Sequence, residues 1–252
     1  MPNLFDLNGQ VALITGGATG IGFGIARQLT ALNATVVITG RSPDKLLAAR
    51  NELGERCVAL ENDVREKAGH AELIERIETT VGPLTTLVNN AGMHSKKPSL
   101  DATDEEFQAV LDTNLLSVFS LTRAALRVMI PRGSGSVINI SSMSALYGLT
   151  QVAAYSSSKT ALLGLTRTLA SEYSHTGIRF NAVAPGFIES AMFLQIMEAD
   201  PARKARILSR TPAGRFGTPA DIGGAVAFLA SNAARFITGI CLPVDGGNSI
   251  GF

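Results

Sequence analysis

Seven short runs rich in valine, isoleucine, leucine and threonine punctuate this chain, and between them apolar residues recur at helical spacing. The runs are QVALIT at 10–15, ATVVIT at 34–39, RCVAL at 56–60, LTTLVNN at 84–90, SVINIS at 136–141, IRFNAVA at 178–184 and ICLPV at 240–244. A helix between two strands returns the chain to the same end of the sheet, so consecutive strands lie parallel. The pattern predicts an α/β fold with a doubly wound, mostly parallel sheet covered by helices on both faces. Ligands bind such sheets outside the carboxyl ends of the strands. The first helix is expected from about Gly20 to Leu32. One stretch breaks the rhythm: 187–217, FIESAMFLQIMEADPARKARILSRTPAGRFG, has weak strand signal and is expected to form a substrate lid. No repeat or linker divides the chain, so 1–252 reads as one domain.

Composition removes several function classes. With 252 residues the chain can bury a substantial core, and 46% hydrophobic against 17% charged residues excludes a disordered chain. Basic and acidic side chains nearly balance, 22 against 21, which argues against a nucleic-acid partner. Cys57 and Cys241 lie far apart without metal-ligand spacing, so neither a disulfide framework nor a metal site is expected. The opening MPNLFDLNGQ has no basic region followed by an apolar run, and no segment is long and apolar enough to span a membrane. A cytoplasmic protein without a membrane partner is expected.

Two motifs carry chemistry. TGGATGIG follows the first strand directly and opens the first helix, with Gly16, Gly20 and Gly22 spaced three residues and then one apart. Glycines there let the backbone approach a pyrophosphate, whose charge the helix N-terminus favours; alone, the cluster would also suit a structural turn. In AAYSSSKTALLGL, Tyr155 and Lys159 sit four apart on a predicted helix and so share one face. A phenol holds its proton up to about pH 10, and a neighbouring ammonium favours its ionised form, which would make Tyr155 a usable acid and base. An isolated tyrosine and lysine at this spacing more commonly mean nothing beyond packing and solvation, so the remaining motifs decide.

Those motifs are NDV at 62–64, NNAG at 89–92, DTN at 112–114, ISS at 140–142, PGFIES at 185–190 and ITGICLPVDGG ending at Gly247. In this order, with the two above, they closely resemble the short-chain dehydrogenase/reductase family over essentially the whole chain. The resemblance implies a Rossmann-like domain of about seven parallel strands, a nicotinamide cofactor and often a homotetramer, with helices near 105–130 and 155–173 in one interface. It implies Tyr155 as general acid/base, Lys159 as its partner and a contact of the nicotinamide ribose, Ser142 as hydrogen-bond donor to the substrate oxygen, and Asn114 as support for a relay water. Ser141 is the rival hydroxyl; the family spacing selects Ser142.

For the cofactor, the resemblance implies a pyrophosphate loop of Gly16, Thr19, Gly20, Ile21 and Gly22, and an adenine contact from Asp63 with Val64. Asn90, Ala91 and Gly92 would pass the ribose, and Pro185, Gly186, Ile188 and Ser190 would line the nicotinamide. At the end of the second strand an NAD enzyme commonly has an acid for the ribose 2′-hydroxyl; Gly40 stands there, followed by Arg41 and Ser42. A guanidinium suits a 2′-phosphate, so NADP is preferred and NAD remains possible. Thr19 occupies the glycine-loop position where some NADP-dependent relatives have a second basic residue.

Candidate substrate contacts are His94, Tyr147, Gln151 and Met192. The apolar stripe Met192, Phe193, Ile196 and Met197 within the lid reads more readily as packing. SRTPAGRFG at 209–217 resembles sugar-acid and polyol dehydrogenases such as gluconate 5-dehydrogenase. The expected activity is interconversion of a ketone and a secondary alcohol on a small polyol or sugar-acid substrate. A 3-oxoacyl-acyl-carrier-protein reductase and a non-catalytic dinucleotide-binding sensor are the alternatives.

Overall fold

A computed structural model describes residues 3–251. Seven strands, β1 (Val11–Thr15), β2 (Thr35–Gly40), β3 (Cys57–Glu61), β4 (Leu84–Asn89), β5 (Gly135–Ile140), β6 (Ile178–Pro185) and β7 (Cys241–Val244), form one sheet in the order β3-β2-β1-β4-β5-β6-β7. Every pairing is parallel, as the strand and helix alternation requires. The sheet is built outward in both directions from the β1–β4 pair, so a crevice opens where their carboxyl ends diverge.

The register shows why the strand runs are so apolar. Leu13, Val37, Leu87, Val137 and Phe180 align across five neighbouring strands, and each is 0% exposed. They meet Leu73, Ile74 and Ile77 of α3 (His70–Thr80), Leu121 and Ala125 of α5 (Ser117–Met129), reached through the shorter α4 (Asp104–Leu111), and Leu169 of α6 (Ala153–Tyr173). The next row, Ile14, Ile38, Val88 and Ile138, points to the other face. There it meets Ile25 and Leu29 of α1 (Gly20–Ala31), Leu46 of α2 (Pro43–Leu53), and Ile222 and Val226 of α9 (Pro219–Ala230). Burying one such side chain stabilises by about 1.5–3 kcal/mol, so the two rows fix both the register and the layers.

Close packing at glycine seats α1. A Cβ on Gly24 would lie 2.4 Å from the Pro219 Cβ, and one on Gly223 would lie 2.7 Å from the Gly24 carbonyl oxygen. The two helices therefore touch backbone to backbone, which fixes how closely α1 lies against α9. The stretch predicted as a lid forms two helices, α7 (Ala191–Ala199) and α8 (Pro201–Ser209), after which a parallel bridge pairs Ile188 with Gly217. Phe193 and Met197 of the predicted stripe pack with Ile207, Phe216 and Phe187 in a small separate core. The side chains of Met192 and Ile196 lie outside the described residues.

A buried polar relay runs through the sheet. Asn89 Nδ2 donates to Thr122 Oγ1 at 3.1 Å and to Asn139 Oδ1 at 2.9 Å, and Asn139 Nδ2 donates to Thr166 Oγ1 at 2.9 Å. All four residues are at most 2% exposed. The relay ties α5 and α6 to β4 and β5. Removing the central amide strands a donor on Asn89 and an acceptor on Thr166, at about 1–3 kcal/mol for each orphaned group. Asn139→Ala is therefore expected to lower stability by about 2–4 kcal/mol in urea unfolding; a loss under ~0.5 kcal/mol would show that the relay holds nothing.

Candidate active site

A cleft of about 900 Å³ occupies the crevice, walled by the glycine loop, the ends of β2 and β3, the segment after β4, and Ile188 to Ser190. Gly16 and Gly20 have φ of +65° and +54°, the left-handed region that glycine adopts without strain. Gly22 is needed for a different reason: a Cβ there would stand 2.2 Å from the Gly16 carbonyl oxygen. Thr19 is the N-cap of α1 but makes no side-chain cap, so N–H groups of the first turn are left for a ligand. At the far wall, Thr39 Oγ1 and Asn62 Oδ1 are buried polar atoms with no partner among the described residues. Orphaned polar groups beside an N-terminal helical turn fit a nucleotide with a pyrophosphate.

The loop is held from across the crevice. Asn90 Nδ2 donates to the carbonyl oxygens of Thr15 and Gly16 at 2.9 and 3.2 Å, while Thr15 Oγ1 accepts from the backbone N–H groups of Asn90 and Ala91, both at 3.0 Å. Asn90 thus shapes the cleft with its side chain. Asp63 and Val64 also line it. Asp63 has an unanticipated partner: the Arg65 guanidinium donates to both carboxylate oxygens and holds the carboxyl below its ordinary pKa. Val64 is anchored through its carbonyl by buried His70, whose other ring nitrogen meets Ser120 Oγ at 3.0 Å.

At the inner end, Ser142, Tyr155 and Lys159 line one cavity of about 210 Å³ together with Gly92, His94, Pro185 and Gly186. Ser142 Oγ accepts from the Ser144 backbone N–H at 3.1 Å, which leaves its own hydrogen for another acceptor. Ser141, by contrast, donates to the Lys159 carbonyl at 2.9 Å and so anchors α6. Asn114 sits in a π-helical turn, Asp112–Leu116, between α4 and α5, a distortion frequent at functional sites. Its Oδ1 accepts from the Met93 N–H, and its Nδ2 donates to the Met93 carbonyl and to Ser158 Oγ. Both amide hydrogens are committed, so only an Oδ1 lone pair remains on the side chain for a water.

The electrostatics of the Tyr155–Lys159 pair differ from the expectation. Lys159 Nζ donates to the Ile140 carbonyl at 2.7 Å and lies 5.7 Å from the centre of the Tyr155 ring. Burial pushes its pKa down to about 8. Burial raises the Tyr155 phenol, and the hydrogen bond from Ser142 offsets this only in part. Desolvation therefore sets the direction of both shifts, and Lys159 directs its ammonium at the Ile140 carbonyl.

The chain matches a family model described as enoyl-(acyl carrier protein) reductase over residues 16–249. It is 39% identical over 251 residues to a 4-formylbenzenesulfonate dehydrogenase of Comamonas testosteroni, covering 97% of this chain and 100% of that one. It is 40% identical over 251 residues to a 2-dehydro-3-deoxy-D-gluconate 5-dehydrogenase of Bacillus subtilis (strain 168), covering 96% of each. A gluconate 5-dehydrogenase from Burkholderia cenocepacia J2315, solved in complex with NADP and tartrate, superposes with a TM-score of 0.92 at 35% identity over 99% of this chain and 98% of that one. The chain belongs to the short-chain dehydrogenase/reductase family. As a member it is an NAD(P)-dependent oxidoreductase acting on CH–OH groups.

The remaining substrate candidates of this oxidoreductase fall on different sides of the cavity wall. His94 lies against the Tyr155 ring, centroids 4.6 Å apart. Tyr147 does not line the cavity: its hydroxyl donates to Asn248 Oδ1 at 2.5 Å under the Arg210 guanidinium, tying the loop after β5 to the C-terminal segment. Gln151 is exposed with φ of +65°, and its carbonyl accepts from Lys97 N. Residues that sequence reasoning missed include Thr15, His70, Arg65 and Asn248; Thr15, His70 and Asn248 act through bonds to residues distant in sequence, while Arg65 engages Asp63 two residues away, and no motif announces any of them. Gly22→Ala is expected to weaken NADPH binding more than about tenfold in a fluorescence titration, with the circular dichroism spectrum retained, because loop backbone must move. Unchanged affinity would mean that the loop does not hold the nucleotide.

Proposed function

We propose that this oxidoreductase interconverts a ketone and a secondary alcohol on a small anionic substrate of sugar-acid type, with NADP preferred over NAD. The observation that carries this reading is the cavity in which Ser142, Tyr155 and Lys159 meet beside His94. When bound, the nicotinamide supplies or accepts the hydride. The chain handles the proton. Tyr155 Oη gives it to the carbonyl oxygen during reduction and takes it back during oxidation, and Ser142 Oγ donates a hydrogen bond to the same oxygen, where charge develops. Lys159 contacts the ribose and, once Ile140 no longer has sole claim on its ammonium, lowers the phenol. Asn114 holds Met93 and the adjoining Gly92 against Lys159; a Cβ on Gly92 would lie 3.1 Å from Asn114 Oδ1 and 3.5 Å from Lys159 Nζ.

Charge around His94 supports the anionic substrate. Lys96 from its own segment and Arg203 from α8 bear on the ring, and both are cations; with burial they lower its pKa. A carboxylate bound beside His94 would feel the same two positive charges. The substrates named for the Comamonas and Bacillus relatives also carry acid groups. A 3-oxoacyl thioester is the second reading, favoured by the name of a relative 38% identical over 242 residues, a 3-oxoacyl-acyl-carrier-protein reductase of Escherichia coli (strain K12). Assaying sugar acids, neutral polyols and a 3-oxoacyl thioester with NADPH and NADP separates these readings, and turnover of the thioester alone would sink the first.

Tyr155→Phe is expected to remove most turnover on the best substrate while NADPH affinity changes less than about threefold; near-normal kcat would end the acid/base assignment. The direction of pH dependence follows from the burial of the phenol. A raised pKa makes the base form scarce at neutral pH, so alcohol oxidation should accelerate as pH rises from 7 to about 10, while ketone reduction should not. A flat oxidation profile with chemistry rate-limiting would contradict this.

For assembly and location we infer a cytoplasmic homotetramer. Leu116 and Phe119 are exposed at the start of α5, 39% and 42%, in the region that the family resemblance assigns to an interface. Among the described residues no helix is long and apolar enough to cross a membrane, and two separate thiols suit a reducing compartment. Light scattering should give about four times the 26.4 kDa chain mass, and a monomer at micromolar concentration would remove the claim.

A further inference from the structure

The adenosine end of the cofactor cleft is more basic than the Gly40–Arg41 dipeptide suggests. Arg41, Lys45 and Arg65 all line it. The carboxylate at that end is Asp63, and the Arg65 guanidinium already occupies both of its oxygens. Neither Arg41 nor Lys45 forms an ion pair among the described residues. Asp44, the acidic residue of the same helical turn, is not part of the cleft wall. Gly40 closes β2 without a carboxylate that could accept from a ribose hydroxyl.

Lys45 stands in the first turn of α2, four residues after Arg41. Between them, Ser42 caps the helix without a side-chain cap bond and also lines the cleft. Two unpaired cations, a hydroxyl and the positive end of an eleven-residue helix thus face one volume. A phosphate monoester near neutral pH carries close to two negative charges, more than one guanidinium balances. The glycine loop offers no third cation, since Thr19 is its polar residue there.

We propose that Lys45 is the second cation for the 2′-phosphate of an NADP-type nucleotide, acting with Arg41 from the neighbouring element in place of a basic residue in the glycine loop. Arg41 supplies planar paired donors and Lys45 a point charge on a flexible stem, so the two approach the phosphate from different directions. The inference rests on the NADP preference proposed above and makes Lys45 a specificity-determining residue.

The test is equilibrium titration of wild type, Lys45→Ala, Lys45→Arg and Arg41→Ala/Lys45→Ala with NADPH and with NADH, followed by protein and nucleotide fluorescence. Lys45 is exposed, so truncating it leaves the core untouched. Lys45→Ala should weaken NADPH about fivefold or more at low ionic strength and shift NADH less than about twofold. Lys45→Arg should keep the preference, the double variant should lose more NADPH affinity than Arg41→Ala alone, and the differences should shrink with added salt. Wild type binding both nucleotides equally would overturn the NADP preference and this inference together. A wild-type preference that Lys45→Ala retains in full, or equal losses for both nucleotides, would overturn the role of Lys45 alone.

Discussion

Asn90 reaching across the crevice to the Thr15 and Gly16 carbonyls is the contact on which the rest of the site depends. Carbonyls at the end of a strand would otherwise face the cleft, where they would repel a pyrophosphate. By taking them up, the amide turns the loop so that N–H groups rather than oxygens face the ligand. Thr15 Oγ1 in turn accepts from the backbone of Asn90 and Ala91, so β1 and β4 are locked at the point where the strand order reverses. Gly22 then follows as a requirement, because the locked Gly16 carbonyl leaves no room for a side chain above it.

The inner cavity, where Ser142, Tyr155 and Lys159 meet, shows the opposite balance, with groups kept out of their most comfortable states. Lys159 is 5% exposed and Asn114 0%, both held by carbonyls of their own chain. Desolvation moves the lysine and the tyrosine towards their neutral forms, which brings the lysine closer to neutral pH and takes the tyrosine further from it. The polar relay from Thr122 through Asn89 and Asn139 to Thr166 keeps the helices bearing these groups in fixed relation to the sheet. Precision at Tyr155 is thus inherited from bonds buried elsewhere.

Much of this was legible in the sequence, for identifiable reasons. All seven strands fall within one residue of the apolar runs, because a parallel sheet buried on both faces writes itself as uninterrupted hydrophobic text. Gly16, Ser142, Tyr155 and Lys159 were readable because each belongs to a motif with fixed spacing. Arg65 and Lys45 were not, since what matters is which charges reach the same cleft, and that is set by how β3 and α2 pack. The direction of the Tyr155 shift was misread for a similar reason: spacing gives proximity to Lys159 but says nothing of burial or of the Ile140 carbonyl. Tyr147 looked like a substrate contact from its position, yet Asn248, about a hundred residues away, engages it.

The neck of the α7–α8 segment has a consequence for how such proteins diversify. Ile188 pairs with Gly217, Glu189 N donates to the Gly217 carbonyl at 2.8 Å, and Gly217 N donates to the Phe187 carbonyl at 2.9 Å. Both ends of a segment of about thirty residues therefore leave the sheet through one stapled gate, and the segment carries its own small core of Met197, Ile207 and Phe216. The strands pair without it, so the register of the sheet does not depend on what lies between Ser190 and Gly217, and sequence can change there while β6 and β7 keep their pairing.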